Sequence, residues 1–168
     1  MLTAYQLMLS RYTGEQDVAV GTVVSGRTRP ELQQLIGYGI NTLVIRNRWS
    51  GDPTFEALIK ETRARVLDAH DHQTVPFAKL VDELQPERDM SRPPLFQVAF
   101  IVRQAQPDAF TLGEVVVEPV QSDFTVAKFD LNLKLTETTE GALDGVLTYA
   151  TALFDQSTVQ RMAGHSIW

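Results

Sequence analysis

The sequence contains no cysteine. Disulfides, thiolate nucleophiles and cysteine-ligated metals are therefore excluded, and the absence of a disulfide framework points to an intracellular, cytoplasmic setting. No apolar run approaches the roughly 18 residues of a membrane span, and no signal-peptide pattern is visible, so no membrane partner is expected. Positive charge is also short. Lys and Arg total 15 against 21 Asp and Glu, a formal charge of −6. Phosphate backbones are held by clustered Lys and Arg, so nucleic acid is not an expected partner. Histidine occurs only three times, as His70, His72 and His165, and never as an adjacent pair.

What remains is ordinary for a folded chain. Apolar residues make up 43% and charged residues 21%, which argues against disorder. At 168 residues the chain fits one domain or one lobe. Residues 2–12 start inside a helical pattern, with Leu2, Tyr5, Leu9 and Tyr12 spaced for one face and Gly14 as the stop. The other end halts at Gly164-His165-Ser166-Ile167-Trp168, partway along a helix. Both ends read as a piece of a longer polypeptide.

Between them the signals alternate. Asp17 to Ser25 predicts a valine-rich strand, and Pro30 opens a short helix over 30–36. Thr42 to Trp49 predicts a second strand, broken by Ser50-Gly51-Asp52-Pro53. Thr54 caps a long helix whose apolar stripe is Phe55, Leu58, Ile59, Thr62, Val66 and Ala69. Pro76 restarts a helix that runs through Leu84. Residues 103–110 read as a loop, Val115 to Val117 as a strand, and Phe124 to Thr136 contains another with alternating Phe129, Leu131, Leu133 and Leu135. Leu143 to Ala150 returns antiparallel, and Asp155 opens a last helix. The pattern is α+β, a mixed β-sheet covered by helices.

The stretch Arg88-Asp89-Met90-Ser91-Arg92-Pro93-Pro94-Leu95-Phe96-Gln97-Val98-Ala99-Phe100-Ile101-Val102 organises the rest. Its prolines forbid a helix, and its apolar second half predicts a buried central strand over Leu95 to Val102. This order of residues resembles a late core motif of the condensation domains of nonribosomal peptide synthetases. Ile36-Gly37-Tyr38-Gly39-Ile40-Asn41-Thr42-Leu43 resembles that family's Ile-Gly-x-Phe-Val-Asn-Thr-Leu segment. His72-Gln73-Thr74-Val75-Pro76-Phe77, with Lys79-Leu80-Val81, resembles its His-Gln-x-x-Pro-Phe-x-x-Leu-Val segment. Lys128-Phe129-Asp130-Leu131 and Tyr149 to Asp155 also look familial, and the five stretches fall in register along almost the whole chain.

The resemblance implies the C-terminal lobe of a chloramphenicol-acetyltransferase-like fold, in which two lobes form a V around an active site and a tunnel for carrier arms. The whole domain would join an amine on an acceptor carrier to a thioester on a donor carrier. On this resemblance it would bind no cofactor itself and would work on the phosphopantetheine arms of its partners. Those partners would be the missing N-terminal lobe, the donor and acceptor carrier domains and an adjacent adenylation domain. The family's signature is His-His-x-x-x-Asp-Gly, which is absent here. The only Asp-Gly is Asp144-Gly145, without the histidines. No residue of this chain is therefore assigned as catalytic, and the fragment alone is expected to be inactive.

The expected roles are supporting ones. Arg88, Asp89 and Arg92 form an ion-pair cluster pinning their turn, or one arginine crosses to the other lobe. Arg27 carries the same two readings, because the family's catalytic-motif aspartate is held by a C-terminal-lobe arginine and Arg27 or Arg92 could supply it. Asn41 either closes a turn with its amide or faces substrate in the tunnel. Gly39, where the family usually has Phe, opens space beside it. The pair His70 and His72 lacks a third converging ligand, so no metal is expected, and His72 is read as tethering its turn to backbone. Gly37-x-Gly39 lacks the third glycine of a dinucleotide loop, and Ser25-Gly26 lacks the preceding glycine of a nucleophile elbow. The rival functions are a cyclisation or epimerisation relative of the same superfamily, and a non-catalytic module that only docks carrier proteins.

Overall fold

The computed structural model describes residues 1–27, 29–85, 92–104, 110–117, 126–138 and 140–165. The element order is α1 (Leu2–Thr13), β1 (Asp17–Ser25), α2 (Pro30–Gln33), β2 (Ile40–Arg48), α3 (Phe55–Asp71), α4 (Phe77–Leu84), β3 (Val98–Gln104), β4 (Phe110–Leu112), β5 (Val115–Val117), β6 (Leu131–Glu137), β7 (Leu143–Tyr149) and α5 (Gln156–His165). Five strands form one mixed sheet in the order β2-β1-β3-β6-β7. The pairs β1–β3 and β3–β6 are parallel, whereas β1–β2 and β6–β7 are antiparallel. The short β4–β5 ribbon stands apart. The expected α+β architecture, a mixed sheet with helical cover, is what forms.

The local punctuation acts as its chemistry dictates. Gly14 takes φ 76°, and its N–H closes α1 onto the Ser10 carbonyl at 2.8 Å. The Thr54 hydroxyl accepts from the Ala57 N–H at 3.3 Å and so caps α3. Helices α1, α3 and α5 cover one face of the sheet. There Tyr5, Met8, Leu9, Leu58 and Met162 pack on Val18, Val20, Phe100, Leu131 and Leu133. Beneath this core runs a buried polar chain. Gln6 Nε2 donates to the carbonyls of Val18 (3.2 Å) and Ile45 (3.1 Å), and Asn47 Nδ2 donates to Gln6 Oε1 (2.7 Å) and Thr62 Oγ1 (2.8 Å). It ties α1 and α3 to the first two strands, because polar groups this deep must find partners.

Five expectations shift. The third strand starts at Val98 rather than Leu95. After the two prolines Leu95 takes a left-handed φ of 69°, and the Phe96 N–H turns back to the Pro94 carbonyl at 2.9 Å. A strand cannot begin until that turn is complete. The same strand leaves the core early, since Val102 is 49% exposed. Residues 103 and 104 extend β3 and Phe110 begins a strand of its own, so both ends of the loop read over 103–110 are strand, and 105–109 lie outside the described residues. The helix expected over 30–36 stops at Gln33. The α3 stripe is narrower too. Leu58 and Thr62 are buried, but Phe55 and Ile59 are exposed.

Candidate functional site

The second face of the sheet carries α4 and the turn over 93–97. Phe96 is buried there, with its ring against Gly21 of β1, where any Cβ would overlap it. Phe77, the first residue of α4, meets that ring edge-on at 5.8 Å, and Phe129 packs on it at 5.3 Å. Beside this small cluster lies an open groove lined by Asp17, Ala19, Val44, Arg46, Leu80, Leu84 and Leu95.

The turn between α3 and α4 carries the chain past β2, which is an edge strand. Asn41 holds it there. Its Nδ2 donates to the carbonyls of Gln73 at 2.8 Å and Val75 at 2.7 Å, and its Oδ1 accepts from the Phe77 N–H at 3.2 Å. Pro76 has no side chain that can cap α4, so Asn41 supplies the missing acceptor from another element. These three hydrogen bonds are the geometry that a turn-closing amide requires. His72 closes the preceding turn, with its Nδ1 hydrogen bonded to the Asp68 carbonyl at 2.9 Å.

Arg27 and Gly39 lie together at the far end of the β1–β2 pair. Arg27 Nη2 donates to the Gly37 carbonyl at 2.8 Å, and the Gly26 N–H donates to the Gly39 carbonyl at 2.7 Å. A Cβ on Gly39 would fall 3.0 Å from Arg27 Nε. The space a side chain would take at residue 39 is thus filled by the guanidinium folded over it. Next to this, Leu35, Ile36, Tyr38 and Ile40 are exposed, Ile36 and Tyr38 almost completely. Arg92 is exposed directly ahead of the 93–97 turn. Arg88 and Asp89 lie outside the described residues. Among the described residues no group of His, Asp and Glu could hold a metal ion, and no helix is long and apolar enough to cross a membrane.

The sequence reading missed two features here. One is the Phe77–Phe96 contact over Gly21, whose only signal was a lone glycine inside a valine-rich strand. The other is Asp17, gripped by Arg46 through Nε and Nη2 (both 2.7 Å) and by Arg48 through the same atoms (2.9 and 2.8 Å). These hydrogen bonds to two guanidinium groups hold its carboxyl well below the usual carboxylate range.

A mixed sheet, a structural turn built on two prolines and a tethered His-Gln-x-x-Pro-Phe segment together define a class. Residues 1–167 match the family model of the condensation domain. The chain belongs to the condensation-domain family. Tyrocidine synthase 2 from Brevibacillus parabrevis is 44% identical over 167 residues, a match that covers 98% of this chain and 5% of that protein. The fold is also that of holo-AB3403, a four-domain nonribosomal peptide synthetase bound to AMP and glycine (TM-score 0.87, 22% identity, 96% of this chain and 13% of that one). The X-domain in complex with OxyB from teicoplanin biosynthesis is similar as well (TM-score 0.82, 28% identity, 97% of this chain and 36% of that one). The chain therefore spans a small part of each.

Proposed function

We propose that this chain is the C-terminal lobe of a condensation domain and forms one wall of its reaction chamber. The reaction is amide formation between two carrier-bound thioesters. The amine nitrogen of the acceptor aminoacyl group attacks the donor thioester carbonyl, a C–N bond forms and the C–S bond breaks. The amine loses one proton, and the donor arm leaves as a thiol. An N-terminal lobe carrying His-His-x-x-x-Asp-Gly would handle that proton, and this lobe would shape and brace the chamber. Gly39 and Asn41 stand on the wall segment. Arg27, Arg88, Asp89 and Arg92 support the facing motif, with Arg92 the leading candidate to brace its aspartate. The phosphopantetheine arms of the donor and acceptor carriers would reach the chamber, and an adenylation domain would stand next along a cytoplasmic synthetase.

One observation carries this reading. The three family segments 36–43, 72–77 and 92–97 join into one continuous contact through Asn41, Phe77 and Phe96, beside an apolar loop that is exposed among the described residues.

The test pairs this chain with the complete domain, each supplied with two aminoacyl-loaded carriers. The complete domain should release an amide-linked dipeptidyl product, and this chain alone should match a no-protein control. Product from this chain alone would defeat the proposal. Arg92→Lys in the complete domain should remove nearly all turnover, since lysine lacks the planar fork that holds a carboxylate. Wild-type turnover there would leave Arg92 with a local role and make Arg27 the brace.

A second reading has support in the X-domain held in complex with OxyB. On that reading the lobe belongs to a module that binds a protein partner and performs no chemistry. A complete domain that binds loaded carriers but yields no amide would favour it.

A further inference from the structure

We propose that Asn41 is a positioning residue for amide formation, one that sets the Arg92 turn through Phe77 and Phe96 and does not contact substrate. The inference rests on the functional reading above. Both Asn41 donors are engaged by carbonyls, those of Gln73 and Val75, and its oxygen takes the Phe77 N–H. A primary amide has two N–H donors, so none is left to offer a ligand. What the side chain does is fix the first residue of α4 against an edge strand.

The consequence travels by contact. The Phe77 ring meets Phe96 edge-on at 5.8 Å, and Phe96 cannot retreat because Gly21 and Phe129 enclose it. Phe96 is also the residue whose N–H closes the turn onto the Pro94 carbonyl at 2.9 Å, and Gln97 Nε2 donates to the Pro93 carbonyl at 3.4 Å. Two prolines follow Arg92 directly, so its backbone has little freedom of its own. The turn that carries it is the one closed by Phe96 and Gln97. A displaced Asn41 amide therefore shifts the arginine proposed to brace the facing motif, and a small misplacement of that kind is costly to a reaction that depends on geometry.

The test uses the complete domain with loaded carriers and the variants Asn41→Ala, Phe77→Leu and the pair together. Asn41→Ala should lower kcat at least tenfold while KM for the acceptor carrier stays within twofold. Phe77→Leu should lower kcat similarly, and the double variant should be no more than about threefold worse than the poorer single, because one route is cut twice. Asn41→Ser, which keeps one donor and one acceptor, should fall between wild type and Asn41→Ala and serves where the alanine variant does not fold. Amide exchange on this chain supplies a readout free of activity, since the Phe77 N–H should lose at least tenfold protection in Asn41→Ser. A raised KM with unchanged kcat, undiminished turnover, losses that multiply in the double variant, or an unchanged Phe77 exchange rate would each overturn the proposal. A wild-type domain that makes no amide would remove the functional reading, and loss of Phe77 protection would then still establish the tether.

Discussion

The ring of Phe96 occupies the volume that a side chain on Gly21 would need, so the second face of the sheet is closed by a glycine and an aromatic acting as one unit. Gly21→Ala forces the two to part. Overpacking a site this tight typically costs about 1–3 kcal/mol. The midpoint of chemical denaturation should fall accordingly, and Phe96→Leu added to Gly21→Ala should recover part of the loss. Equal stability of Gly21→Ala and wild type would refute the close approach.

The two ends of β3 should respond differently to truncation. Phe100 is buried and stacks near Tyr5 with ring centroids 5.8 Å apart. Phe100→Ala should cost about 3–5 kcal/mol. Val102→Ala, at the exposed end, should stay within about 0.5 kcal/mol. Urea unfolding of both variants distinguishes them, and similar losses at the two positions would mean the strand is covered along its length.

Acid should weaken the sheet edge through Asp17. Its carboxyl is held low by hydrogen bonds from Arg46 and then Arg48. A group with a lowered folded pKa adds stability that is present above its unfolded value, about 3.9, and is lost as pH falls through the folded one. Because the pairs are partly exposed, about 1 kcal/mol is the scale expected. Wild type should therefore exceed Asp17→Asn in thermal midpoint at pH 7, and the gap should begin to narrow as pH falls below about 4. The loss is progressive below that point, so a gap that does not narrow at all between pH 7 and pH 2 would rule the ion pairs out as its source.

The isolated chain should associate with itself. Leu35, Ile36, Tyr38 and Ile40 present large apolar side chains to water within six residues. Contiguous apolar surface of this kind marks a contact face. Sedimentation velocity should show concentration-dependent association, reduced by the double change Ile36→Ser and Tyr38→Ser. A clean monomer at all concentrations would count against it.

Much of this architecture was legible from the residues in order. Gly14, Thr54 and Pro76 mark helix ends through local backbone chemistry, and the alternation of Leu131 and Leu133 marks a strand with one buried face. Such signals act within a few residues, where periodicity and capping operate. The motif order likewise pointed to the family. Contacts between distant segments were not legible. Asp17 meets Arg46 and Arg48 only because the antiparallel register sets Asp17 opposite Arg48 and Ala19 opposite Arg46. The hydrogen bonds from Asn41 to the carbonyls of Gln73 and Val75 likewise depend on where the chain crosses the edge of β2. Gly21 was a single unexplained glycine until Phe96 came to rest on it. Val102 was apolar in a strongly apolar run, yet its exposure was set by how far neighbouring layers extend. Spacing along the chain encodes local geometry, whereas register, crossing points and the limits of cover arise only when the elements pack.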